Sequence, residues 1–139
     1  MPAPADPPPP TGSSRRALVA QSLGRWGEVL AARHLQRRGW TIVERNYRFG
    51  RREVDLVIRR GDVLAFVEVK TRAGDGYGSP LEAITWKKRR EIEAVAAHFL
   101  ASRCPGDVGV RFDAVAVTRT GVDRVVRIDH VEDAWRPVG

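Results

Sequence analysis

Cysteine is almost missing from this chain: Cys104 stands alone. One thiol excludes an internal disulfide framework, a CxxC redox pair and a cysteine-built zinc site, and it fits a reducing, cytoplasmic setting. Histidine is scarce too. His34, His98 and His130 share no metal-ligand spacing, and there is no GxSxG, HExxH or P-loop. Serine-hydrolase and zinc-hydrolase chemistries therefore have no support. No apolar run approaches the ~20 residues of a membrane span. The AGDGYGSP stretch after Arg72 is not a dinucleotide fingerprint, because GxGxxG would need glycine where Ser79 stands. Lysine is rare among the 24 basic residues, with Lys70, Lys87 and Lys88 only. In so arginine-rich a chain, Lys70 supplies a compact ammonium that can lose its proton, a task a guanidinium fills poorly.

What is present reads as one domain. The 139 residues are enough for a real core, and a net charge of +7 points to a polyanionic partner, nucleic acid ahead of anionic membrane. Residues 1–16 hold six of the nine prolines and read as a disordered, proline-rich tail without the hydrophobic region of a secretory signal. Residues 17–139 read as a single domain. A helix is expected from Ala17 to Arg38, with Leu23, Trp26, Leu30 and Leu35 recurring at helical spacing and Gly39 ending it. Gly24, Glu28, Ala31 and Ala32 form an adjoining stripe of small residues around one acid, which could pair with Arg25 or Arg33 or reach toward a sheet. Strands are expected over 40–48, on both sides of a turn near 61, over 110–118 and over 124–130 after a turn at Gly121. A helix starts at the Ser79-Pro80-Leu81-Glu82 capping box and runs to about Ser102, with a restart at Thr85 and a buried stripe of Ile92, Val95, Ala96, Phe99 and Leu100. Its basic run, Lys87, Lys88, Arg89 and Arg90, is either a solvated face or a contact for a nucleic-acid backbone.

The stretch that organises the rest is REVDLVIRRGDVLAFVEVKTR, residues 52–72. Apolar runs flanking Gly61-Asp62 predict a hairpin. With those two residues as the turn, Arg60 pairs with Val63, Asp55 lies across from Glu68 and Glu53 across from Lys70. All four then project from one face, while Val54, Leu56 and Ile58 oppose Val69, Val67 and Ala65 on the other. Carboxylates facing each other at roughly 5 Å repel. Either a hard cation such as Mg²⁺ compensates them, or they lie on a solvated face beside arginines. Asn46, Arg48, Arg51 and Arg52 gather near the same face. Asp113, on a later strand, reads either as a structural hydrogen-bonding acid or as a further acid near the sheet.

The element order α-β-β-β-α-β-β, with an acid in the second strand and Glu-x-Lys in the third, resembles the PD-(D/E)XK restriction-endonuclease-like nucleases. More narrowly, GRWGEVLAARHLQRRGW (24–40), NYR (46–48), REVDLVI (52–58), FVEVKTR (66–72), YGSPLEAI (77–84) and RFDAVAV (111–117) resemble the bacterial YraN family. The resemblance implies an α/β restriction-endonuclease-like core: a mixed five-stranded sheet flanked by helices. It implies Asp55, Glu68 and the Val69 carbonyl as ligands of Mg²⁺ or Mn²⁺, and Lys70 as the group that orients or deprotonates water. Glu28 would help hold the metal or its waters. Arg48, Arg51, Arg52, Arg72, Lys87 and Lys88 would contact nucleic acid, DNA ahead of RNA. The implied activity is phosphodiester hydrolysis, with branched or recombination DNA as one substrate class and a homodimer as one assembly. A nucleic-acid-binding protein that keeps the fold without cutting is the alternative. Two positions depart from the pattern: Val54 replaces the nominal proline, and Arg52 replaces the family glycine before Glu53.

Overall fold

The computed structural model describes residues 12–74, 77–120 and 125–138. In chain order the elements are α1 (Gly12–Arg37), β1 (Thr41–Phe49), β2 (Arg52–Arg60), β3 (Val63–Ala73), a 3-10 turn (Pro80–Ala83), α2 (Trp86–Arg103), β4 (Gly109–Thr120) and β5 (Val125–Trp135). The strands form one mixed sheet in sequence order, antiparallel except where β3 runs parallel to β4. A parallel pair needs a long crossover, and the segment carrying α2 provides it. This is the α/β five-stranded arrangement expected from the sequence. No helix among the described residues is long and apolar enough to cross a membrane.

Each helix covers one face. On the α1 side, Ala31, Ala32, Leu35 and Trp40 pack with Leu56, Ile58, Ala65, Val67, Val69, Val115 and Val117. On the α2 side, Ile92, Val95, Ala96 and Phe99 meet Val57, Leu64, Phe66, Phe112 and Ala114. Each fully buried side chain such as Leu35 or Phe66 contributes about 1.5–3 kcal/mol relative to exposure. The expected stripe of α2 is thus the buried one, with Leu100 half-buried.

The buried face of α1 differs from the expected one. Leu23 and Trp26 are exposed, and the sheet is met by Gly27, Ala31, Ala32 and Leu35. Small residues win because the helix lies so close to β3 that a Cβ on Gly27 would sit 1.8 Å from the Thr71 hydroxyl oxygen. A larger side chain on that face would push α1 off the sheet. The helix also begins at Gly12, so residues 12–16 of the expected disordered tail are helical. Once a helix exists, each added residue gains a hydrogen bond at little cost. The proline-rich remainder and the expected turn at Gly121 lie outside the described residues.

Turn and cap chemistry otherwise follows the residues. Gly39 has φ of 91°, and bonds from Trp40 N–H to Leu35 O and from Gly39 N–H to Gln36 O close α1 in a Schellman motif. Arg60 pairs with Val63 across the Gly61-Asp62 turn, as expected. The helix expected from Ser79 is split. Ser79 caps only the 3-10 turn, Ile84 is extended and buried, and Thr85 caps α2 by accepting from Lys88 N–H at 3.1 Å. The second cap aims the basic start of α2 at the sheet.

Candidate active site at a fork in the sheet

The ladder between β2 and β3 runs from Arg60 and Val63 to Leu56 and Val67, and stops there. Beyond it, β2 stays paired with β1 as far as Arg52, and β3 stays paired with β4 as far as Ala73. The sheet forks, and Asp55 stands in the opening. Its Oδ2 accepts the Val69 N–H at 2.7 Å, in place of a main-chain partner. The expected direct pairs Asp55–Glu68 and Glu53–Lys70 are therefore not rungs of the ladder.

Strand alternation also breaks at Asp55. Leu56 joins the α1-side core and Val54 the α2-side core, so Val54 leaves the face on which the hairpin arithmetic put it. Across the strand pair, between the rungs Arg45–Leu56 and Tyr47–Val54, lies Asn46 with φ of 50°. Asparagine tolerates this left-handed conformation, and the local twist turns Asp55 toward the gap. Glu68, between two α1-side valines, points to the α2 side.

Four acids meet here. Asn46 Nδ2 donates to Glu28 Oε2 at 3.1 Å and to Glu53 Oε1 at 2.8 Å. Glu28 is thus bound by Asn46 rather than by Arg25 or Arg33. Burial raises the Glu28 pKa, the Asn46 hydrogen bond lowers it, and the charges of Asp55 and Glu53 raise it further. Asp55 is pushed up to about 8, first by burial and then by the hydrogen bond and charge of Glu68, against the opposing pull of the Val69 N–H and Lys88. Glu68 is 4% exposed, and its Oε2 is buried with no hydrogen-bond partner among the described residues. Lys88 Nζ lies 3.6 Å from that oxygen and donates to the Glu53 carbonyl at 3.2 Å. A contact of 3.6 Å attracts but is not a hydrogen bond.

The donor set can be tested against a hard divalent cation. Among the described residues no group of three or more His, Cys, Asp and Glu side chains forms a ready coordination cage. Mg²⁺ does not need one, because it is commonly held by one or two carboxylates while keeping several waters. An all-oxygen pair with an orphaned buried Oε2 and a raised carboxyl fits such an ion.

The remaining expected residues divide into groups. Lys70 is half-buried on β3, two residues beyond Glu68 on the same side, with no hydrogen bond or ion pair among the described residues. Arg48 pairs with Glu53 at 3.0 Å, and Arg51 and Arg52 are exposed where β1 turns into β2. Lys87 lines a shallow concavity with Arg52, Trp86 and Arg90. Arg72 is elsewhere: its Nε donates to Thr118 Oγ1 at 3.1 Å and its guanidinium lies 4.8 Å from the Tyr77 ring centre, in a cavity of ≈ 690 Å³ shared with Arg127. Sequence reasoning missed that Lys88 turns inward and that Asn46 bridges two acids. Helical spacing does not show which lysine of a basic run reaches a sheet. The asparagine at the centre of an otherwise strand-like run was the available signal for the second.

The profile of the Uncharacterised protein family UPF0102 matches residues 27–117, a segment that contains Glu28, Asn46, Asp55, Glu68 and Lys88. The chain belongs to the UPF0102 family. A UPF0102 protein of Chlorobaculum tepidum is 44% identical over 119 residues, covering 83% of this chain and 92% of that protein. One from Rhodococcus jostii is 48% identical over 114 residues, covering 82% and 96%. One from a Nocardioides species is 42% identical over 127 residues, covering 91% and 98%. The family match therefore spans β1 to β3, α2, most of β4 and the site.

Proposed function

We propose that this UPF0102 protein is a metal-dependent nuclease of PD-(D/E)XK type that hydrolyses phosphodiester bonds in DNA, branched or recombination intermediates among them. The observation that supports this reading is the pairing of half-buried Asp55 with buried Glu68: Glu68 Oε2 has no hydrogen-bond partner among the described residues, and Asp55 is pushed up to about 8. A pair that cannot ionise fully by itself is suited to Mg²⁺ or Mn²⁺. Asp55, Glu68 and the Val69 carbonyl would hold the ion, which would supply Lewis acidity and a more acidic water.

The chain's own groups do the rest. Lys70, without a partner among the described residues and two positions beyond Glu68, orients the attacking water or takes its proton, and its ammonium form offsets charge on the phosphate oxygens. Glu28, oriented by Asn46, holds water at the rim. Arg48, Arg51, Arg52, Arg72 and Lys87 bind backbone phosphates on either side. Lys88 shields the acids from each other until the cation arrives. A homodimer would let two such sites address both strands.

The test is cleavage. The full chain should nick or cut linear, branched or single-stranded DNA with Mg²⁺ or Mn²⁺, and Asp55→Ala or Glu68→Ala should each lower the rate by roughly a hundredfold or more. Cleavage that survives both substitutions rejects the reading.

One observation favours a second reading, a nucleic-acid-binding protein that does not cut. Lys88 Nζ, 3.6 Å from Glu68 Oε2, already brings a positive charge to the acids. On that reading Asp55→Ala leaves DNA affinity intact or strengthens it, and Mg²⁺ does not change thermal stability.

A further inference from the structure

Trp86 opens α2 and is 65% exposed, against 36% for Trp26 and 7% or less for Trp40 and Trp135. Tryptophan is the largest apolar side chain, and one left in water at a charged surface is a common anchor for a partner. This ring is also held in place. The Arg89 guanidinium lies 4.3 Å from its centre and 6.0 Å from that of Trp135. Arg89 is itself fixed, with Nε donating to Ile84 O at 3.0 Å and Nη2 to Leu81 O at 3.1 Å. One face of Trp86 therefore rests on an anchored cation, and its exposure leaves the other face to solvent. Beside it, Arg52, Lys87 and Arg90 line a concavity that also holds one acid, Glu91.

A rigid aromatic plane among cations is what an unpaired nucleotide needs: a π-face for the base and positive charge for its phosphates. A base inside a duplex is already stacked on its neighbours and has no face to offer. An apolar protein partner would desolvate these cations without replacing their water. The platform is linked to the acids through β2: Arg52, which lines that concavity with Trp86, precedes Glu53, whose carbonyl accepts from Lys88 Nζ at 3.2 Å.

We infer that Trp86 is a stacking platform for an unpaired base, so that the strand entering the Asp55–Glu68 site is single-stranded beside it. The proposed nuclease activity gives the platform its purpose, while binding itself needs no cleavage.

The test uses the full chain in EDTA, with a short oligodeoxyuridylate, an oligouridylate of equal length and a blunt DNA duplex as probes. Both single strands should quench tryptophan fluorescence, and the duplex should not. Trp86→Ala should weaken single-strand binding about tenfold, which is 1.4 kcal/mol and within the range of one base–aromatic stack. Trp86→Phe should restore most of the affinity without the quench. The slope of log affinity against log salt should be unchanged in Trp86→Ala and reduced by about 0.7 in Lys87→Ala. An unaltered far-UV circular dichroism spectrum and an unaltered urea midpoint check that the exposed substitution leaves the fold intact. The tighter of the two single strands identifies the sugar the platform serves.

Wild-type affinity in Trp86→Ala overturns the inference, as does equal quenching by the duplex. A change confined to oligomeric state, seen by sedimentation, also overturns it by making Trp86 a contact between copies. Stacking without metal-dependent cleavage rejects the nuclease reading alone. Cleavage with binding insensitive to Trp86 rejects the platform alone.

Discussion

Asp55 on β2 and Asp113 on β4 flank the same strand, and each interrupts an apolar run with a carboxyl largely withdrawn from water. Their surroundings then diverge. Asp113 is 0% exposed and receives Arg111 Nε at 3.2 Å, Arg111 Nη2 at 2.9 Å and the Asp133 N–H at 3.0 Å, with His130 Nε2 at 2.8 Å. Burial pushes its pKa up, but His130, Arg111 and the Asp133 N–H outweigh burial and hold it below the usual carboxylate value. Asp55 has one main-chain N–H and the company of other carboxylates, and it rises to about 8. Burial is common to both, so the supply of donors makes the difference. A saturated acid holds a fold together. An acid short of donors is ready for a cation from outside.

The contrast is most exposed to Asp113→Ala, which strips His130 and the Asp133 N–H of their buried acceptor and leaves Arg111 with Glu132 at 3.7 Å. Stability should fall by about 3–5 kcal/mol in urea titration, and a loss under ~1 kcal/mol would remove the distinction. Next comes the cation. Mg²⁺ or Mn²⁺ at a hundredfold above its Kd should stabilise the protein by about 2.7 kcal/mol. In thermal scans Asp55→Asn should abolish that shift and Lys87→Ala should keep it; a shift that survives Asp55→Asn places the cation elsewhere.

The smallest effect is in pH. With the Asp55 pKa raised from 3.8 to about 8, the native state between those values keeps a proton that the unfolded chain has lost. Metal-free stability should therefore fall as pH rises through that window. Asp55→Asn should flatten the curve and raise metal-free stability toward its upper end. The Asp113 contribution has the opposite sign: it is present above the ordinary carboxylate value and lost as pH drops through the lowered pKa. A steep rise in metal-free stability between the two Asp55 values would contradict the assignment.

Much of this was legible in the residues. The Gly61-Asp62 turn, the α2 stripe and Gly39 as a cap are local statements, each decided within a few neighbours. The buried face of α1 was not, because Leu23 and Trp26 carry more apolar surface than Gly27 and Ala31, and only the approach of β3 makes smallness the deciding property. Perfect alternation placed Asp55 beside Glu68 in the ladder. The left-handed Asn46 and the fork moved it into the gap instead, a change that depends on β1 and β3 together. The acids were visible as a group, whereas the inward turn of Lys88 depends on where Thr85 starts the helix.

The fork has one more consequence. At the point where β2 and β3 part, the Val69 amide is bonded to a titrating side chain instead of a neighbouring strand. Its proton resonance and exchange rate should follow whatever Asp55 holds, hydrogen ion or divalent cation. The sheet thus contains its own unlabelled gauge of occupancy, readable by NMR in the wild-type chain before any substrate is known.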